Sequence, residues 1–177
     1  MKKRKQLGKS KDSFGSRKSQ IKMSFGMIFS ILLIIAFLAV AIYAITFFLD
    51  LKKCSDMGSF KEELQKGVNR AWESEESREE FKRTLPSGIG KVCFIDIGGG
   101  QRGEYSEIYR DVEMRYSDEN MIYWPLEKAC SGLAAFKIER LNITEITKEE
   151  NPVCFENDGE VELVIEKKLY SHSVNIK

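Results

Sequence analysis

Four cysteines, one histidine and two runs of carboxylates are the residues through which this chain of 177 residues could do chemistry. Cys54, Cys93, Cys130 and Cys154 stand far apart along the chain, with no two of them close neighbours. A zinc site normally carries a C-x₂₋₄-C pair, so this wide spacing points away from metal and toward two disulfides, each worth roughly 2–4 kcal/mol. Three pairings exist. The Val-Cys-Phe shared by Val92–Phe94 and Val153–Phe155 favours Cys93 with Cys154 and Cys54 with Cys130, although spacing alone does not decide. The alternative is unpaired buried thiols. His172, between Ser171 and Ser173, would need an orienting carboxylate and a nucleophile to act as a general base. Tyr170, His172, Val174 and Ile176 merely share one strand face, which describes a packed or surface histidine. The acidic runs Glu73–Glu80 and Glu145–Glu150 lack the alternating ligands and turn glycine of a calcium loop and read as solvated faces. No catalytic residue, metal or cofactor is therefore expected, and the chain is not expected to be an enzyme.

The element that decides where this chemistry takes place is the uncharged run Phe25–Leu49, interrupted only by Gly26, Ser30 and Thr46. At about 1.5 Å per residue it suffices to cross a bilayer core of about 30 Å. It is longer than a secretory h-region and continues past Ala39-Val40-Ala41, the nearest small-residue cleavage pattern, so an uncleaved anchor is expected. Residues 1–22 carry nine basic side chains against Asp12, a charge of +8, and the remainder carries −7. Positive residues beside a transmembrane helix stay cytoplasmic, which puts the tail inside and the cysteines in an oxidising space outside. The tail would touch anionic head groups, and no specific nucleic acid is expected as a partner. Asn142-Ile143-Thr144 fits the N-glycosylation pattern, in agreement with that orientation.

The domain organisation expected is a basic cytoplasmic tail over 1–22, a transmembrane helix over 23–51, an amphipathic stem helix over 52–85 and an extracytoplasmic β-rich domain over 86–177. The stem follows from Cys54, Met57, Phe60, Leu64, Val68 and Ala71/Trp72, which recur at three or four residues, with Gly58 and Gly67 as soft points and Pro86-Ser87-Gly88 as its end. Beyond Gly90 the period becomes two. Lys91–Ile97 reads as a strand buried on both faces, Met121–Trp124 as a short strand stopped by Pro125, and Leu126–Leu133 as a helical turn or two. Phe136 and Ile138 shift phase to Leu141 and Ile143, suggesting a bulge near Glu139-Arg140. Val161, Leu163 and Ile165 alternate with glutamates in a strand with one wet face, and Leu169–Ile176 is its candidate partner after a turn at Lys167-Lys168. Trp72 and Trp124 read as core or interface aromatics. The fold class is α+β: a transmembrane helix, a stem helix, and a small antiparallel head with disulfides.

Two resemblances carry further expectations. Phe94-Ile95-Asp96-Ile97-Gly98-Gly99-Gly100 resembles the phosphate loop of actin-like sugar kinases and exopolyphosphatases, which implies two large nucleotide-clasping domains. Residues 54–177 are too short for these, so a strand ending in a flexible glycine turn is the better reading. Lys18-Ser19-Gln20-Ile21-Lys22-Met23-Ser24-Phe25 and the helix after it resemble the start of archaeal type IV pilin-like precursors. That resemblance implies leader cleavage after Ser19 and a filament role; Ser19 stands where the family has glycine, and Ser24 where it has glutamate. The organisation also resembles uncharacterised single-pass membrane proteins of small archaeal genomes, which implies no activity.

The function expected is a single-pass membrane-anchored, non-catalytic binding or envelope-structural module. The alternatives are a pilin-like filament subunit and an accessory subunit of an envelope enzyme. The partners expected are the lipid bilayer, sister copies through the transmembrane and stem helices, and an extracellular ligand that the sequence leaves unspecified.

Overall fold

The computed structural model describes residues 25–177. The basic tail 1–22, the junction after Ser19 and the pilin-like segment up to Ser24 lie outside the described residues. The chain divides into two compact units, one ending at Tyr43 and the other spanning Ala44–Lys177. In the first unit the described residues are helical, belonging to α1 (Phe25–Glu73). Every large apolar side chain from Phe25 to Leu51 is exposed, and none of the most apolar window of α1 is buried. The helix is long and apolar enough to span a membrane.

In the second unit α1 changes environment. Met57, Phe60, Leu64, Gly67, Val68 and Ala71 are buried, the stripe that the three-and-four spacing specifies. The helix ends at Glu73, where the Ser74 hydroxyl donates to the Arg70 carbonyl at 3.0 Å. This corrects the stem expected over 52–85, because Ser77–Thr84 forms strand β1. Its sequence, Ser-Arg-Glu-Glu-Phe-Lys-Arg-Thr, buries only Phe81. What makes it a strand is its partner: all eight residues pair antiparallel with the strongly alternating β6 (Glu160–Lys167), so tertiary context overrides a charged, helix-like composition. Glu166 with Arg78, and Glu160 and Glu162 with Lys82, lie across that pairing. β7 (Asn175–Ile176) completes a three-stranded sheet in the order β1-β6-β7.

The second sheet contains β2 (Lys91–Phe94), β3 (Met121–Trp124), β4 (Ala135–Phe136) and β5 (Val153–Glu156) in the order β4-β3-β2-β5, all antiparallel. β2 is buried on both faces, as its unbroken apolar run requires. Val92 and Phe94 join the core of α1; Cys93 joins a second cluster with Ile95, Ile122 and α2 (Ser106–Glu113) through Ile108, Tyr109 and Val112. Phe60 links the sheets, edge-on to Phe81 at 5.3 Å and to Tyr123 at 5.9 Å. The Tyr123 hydroxyl donates to the Met57 carbonyl at 2.8 Å, and burial raises its pKa.

Three strand expectations are shortened. The strand read over Lys91–Ile97 stops at Phe94, because the Asp96 backbone is captured by Asn151. The bulged strand near Glu139-Arg140 is replaced by an Asn120 clamp, whose side chain donates to the Ile138 carbonyl and accepts from its N–H, followed by Arg140 at φ 70°. The partner strand read over Leu169–Ile176 shrinks to β7, because residues 168–171 form a turn closed by Ser171 N–H to the Lys168 carbonyl, with Tyr170 at φ 64°.

Candidate functional site

The cysteines form two disulfides. Cys54–Cys130 ties α1 to the segment after β3, and Cys93–Cys154 joins directly opposed residues of β2 and β5, with Cα atoms 4.0 Å apart. No free cysteine is present among the described residues.

The glycine-rich turn after β2 is held from inside. Asn151 is fully buried; its amide donates to the carbonyls of Asp96 at 2.7 Å and Gly100 at 2.8 Å, and its oxygen accepts from Asp96 N–H at 3.0 Å. The Arg102 guanidinium donates to the carbonyls of Gly99 at 2.7 Å and Thr147 at 3.0 Å. A Cβ on Gly99 would lie 2.9 Å from an Asp96 carboxylate oxygen, so any larger residue there must displace that side chain. The Gly99 N–H bonds to the Asp96 carbonyl. A phosphate cradle needs such amides directed at a ligand. Here the turn is built around Asn151 and Arg102, which hold it in place where a flexible turn was expected.

An open groove of about 600 Å³ lies between the outer strands of the two sheets. Its apolar walls are Ile146 of α3 (Ile143–Ile146), Val153 and Phe155 of β5, and Ile176 of β7. Around them stand Glu145, Glu149, Glu150, Lys148, Lys168 and Lys177. β5 pairs only with β2 and β7 only with β6, although Val174, directly before β7, bridges Leu141 on the outer side. The Asn157 N–H bonds to the Gly90 carbonyl; alternation then turns the backbone groups of Cys154 and Glu156 away from β2 toward the open side. Asn175, also lining the groove, is buried and its amide oxygen has no hydrogen-bond partner. A buried acceptor, an apolar wall and charges of both signs thus face this groove.

Of the remaining sequence candidates, Asn142 caps α3, its side-chain oxygen accepting from Glu145 N–H at 3.3 Å, while Thr144 is exposed with its hydroxyl 3.4 Å from an Asp96 carboxylate oxygen. His172 is exposed in a separate hollow with Glu75, Lys167, Leu169, Tyr170 and Ser171, and its carbonyl accepts from the Trp72 indole at 3.2 Å. No cluster of three or more metal-ligating side chains occurs among the described residues. Sequence reasoning passed over the groove, Asn151 and Asn175. The Asn151-Pro152 pair beside Val153-Cys154-Phe155 was the available signal, since Asn-Pro marks a chain turning into a new element. Comparison of the chain with protein-family models, with curated proteins and with solved structures returns no match.

Proposed function

We propose that this chain is a single-pass membrane-anchored module whose disulfide-bonded head binds its partner outside the cytoplasm, without catalysis of its own. The observation that carries the reading is the change of environment along α1: uniformly exposed apolar side chains to Leu51, then a buried stripe from Met57. A soluble protein rarely exposes so large a contiguous apolar surface, and a lipid bilayer is the solvent that suits it. The Cys54–Cys130 and Cys93–Cys154 bonds support an oxidising compartment for the head, and the open groove between β5 and β7 supports recognition. Asn142 lies in that same head and is proposed to carry an N-linked glycan where the host attaches one.

The test is flotation of the natural protein with membrane vesicles, followed by external protease and non-reducing peptide mapping. The reading expects cofloating protein, digestion of the chain beyond Lys52, protection of the tail, and both disulfides intact. Protein left unfloated, or recovered with four reduced thiols, overturns it.

A second reading, a pilin-like filament subunit, is favoured by one feature: the later part of α1 supplies the core beneath an antiparallel sheet while its first part stays bare. It requires processing after Ser19. An intact mass that still includes the segment Met1–Ser19 removes it.

A further inference from the structure

Along α1, Lys61, Gln65 and Asn69 follow one another at four-residue spacing and form one stripe. Together with Lys137, Glu139 and Arg140 they line an open hollow of about 630 Å³. Its floor is held firmly. The Gln65 side chain accepts from Glu139 N–H at 2.9 Å and donates to Asn69 at 3.0 Å. Arg140 has a left-handed backbone conformation that a bulky residue seldom adopts. Its guanidinium donates to the Asn69 side-chain oxygen at 3.3 Å. The same group stacks on the Trp72 ring at 3.9 Å. The Lys61 ammonium lies 5.8 Å from the centre of the Phe136 ring.

The hollow gathers three cations that lack a carboxylate partner, as do others among the described residues such as Lys66 and Lys128. Arg70, Arg78, Lys82, Arg83, Lys91, Lys148 and Lys177 all make ion pairs with carboxylates. Lys61, Lys137 and Arg140 make none among the described residues, in a portion of the chain that is acidic overall. Set against Glu139 they leave a surplus of two positive charges.

The complementary surface is on the same head. The exposed side of β1 and β6, with the turn leading into β6, carries Glu80, Asp158, Glu160, Glu162 and Glu166 against Arg78 and Lys82, a surplus of three negative charges. Lys82 is shared by Glu162 and Glu160, which raise its pKa, so Glu80 and Asp158 are left without a cation among the described residues. Both surfaces stand at one height on α1. Phe81 meets Phe60, and Arg83 bonds to Glu63, which sets Glu80, Lys82 and the paired Glu162 beside the turn of α1 that carries Lys61. That turn follows exposed Leu51 by fewer than three turns of helix, so both faces stand close to the end of the apolar stretch.

We propose that the Lys61–Lys137–Arg140 hollow of one copy docks against the acidic β1–β6 face of a second copy standing beside it in the same bilayer. The inference rests on the anchoring proposed above, which holds copies parallel and brings the two faces level. Because the surfaces differ, the contact is heterologous and propagates into a ring or a row rather than stopping at a dimer.

The experiment uses the full chain in lipid vesicles, floated and then treated with a zero-length carbodiimide cross-linker at low and high salt. The expected result is a ladder of cross-linked species with Lys61 or Lys137 joined to Glu80 or Asp158 of another copy, diminished at high salt by screening. Lys61→Glu with Lys137→Glu is expected to lower the cross-linked fraction about tenfold, and mixing that variant with a Glu80→Lys, Asp158→Lys copy to restore it. Lys137, Glu80 and Asp158 are exposed, Lys61 is half-buried, and none of the four belongs to the core, so the variants leave it intact. Absence of intermolecular links in the floated fraction, or links that the charge reversals leave unchanged, overturns the docking. Failure to float overturns the anchoring instead, and the same links in the unfloated fraction then decide the docking.

Discussion

Gly58 and Gly67 both lie inside α1 and look equivalent in sequence, yet alanine at the two positions is expected to act with opposite sign. A helical glycine costs about 0.5–1 kcal/mol relative to alanine. At Gly58 a new Cβ meets nothing within 4 Å, so Gly58→Ala is expected to stabilise by about that amount. At Gly67 the Cβ would lie 2.7 Å from Cδ1 of Ile165. Although that atom ends a side chain, Ile165 is fully buried in the core of α1 and β6, so its movement disturbs packed neighbours. Overpacking of this kind costs about 1–3 kcal/mol, which exceeds the propensity gain and leaves Gly67→Ala destabilising by about 1 kcal/mol. Ile165→Val removes the offending methyl. Alone it is expected to cost about 1 kcal/mol, but together with Gly67→Ala it relieves the clash, so the double variant should be more stable than the sum of the two by about 2 kcal/mol. Urea unfolding of the full chain in detergent, followed by the fluorescence of Trp72 and Trp124, measures all four proteins. A Gly67→Ala variant that stabilises as much as Gly58→Ala would refute the close approach of α1 to β6.

Asn151→Ala deletes the side chain that satisfies Asp96 and Gly100, and is expected to destabilise by about 2–3 kcal/mol in the same unfolding assay. A variant as stable as the parent would contradict that role. Tyr123→Phe removes one buried hydrogen bond to Met57 while keeping the ring against Phe60, so a loss of about 1 kcal/mol is expected, checked by the same measurement. Lys177, hydrogen-bonded to Glu166, holds that carboxylate below its ordinary range. Since the folded pKa is the lower one, the interaction stabilises at neutral pH and is lost as pH falls through the ordinary range to the folded value. Lys177→Met is therefore expected to flatten the acid side of the stability–pH curve, and superimposable curves would contradict the pairing. Cys54→Ala with Cys130→Ala is expected to speed amide hydrogen exchange across residues 126–134, which the bond holds to α1; unchanged exchange there would show that other contacts suffice.

What could be read in the sequence was whatever a single periodicity controls. The apolar run, the stripe from Met57 to Ala71, the doubly buried Val92–Phe94 and the alternation Val161–Ile165 each bury or expose what their own spacing predicts. Ser77–Thr84 could not be read that way, because one buried Phe81 does not make a period; its strand character comes from β6 across the sheet. The same holds at Arg140 and Tyr170, where non-glycine residues take positive φ. Around Arg140 the conformation is fixed by Trp72 and Asn69, which lie on α1, far away in sequence. The groove between β5 and β7 was equally hidden, since an edge strand is defined by the neighbour it lacks, and no local pattern reports that.

The two disulfides illustrate how far a local repeat can carry. The matching Val-Cys-Phe triplets favoured Cys93 with Cys154 because identical patterns suit identical positions in a ladder, and β2 and β5 do place the triplets in register, Val92 opposite Phe155 and Phe94 opposite Val153. The two bonds close loops of similar length, which in the chain-entropy account makes them nearly equal at ~4 kcal/mol. Their structural consequences differ nonetheless. Cys93–Cys154 reinforces strands already registered by backbone hydrogen bonds, whereas Cys54–Cys130 joins α1, between exposed Leu51 and buried Met57, to a segment with no ladder of its own. The second bond thus fixes the place on the helix where burial in the head begins.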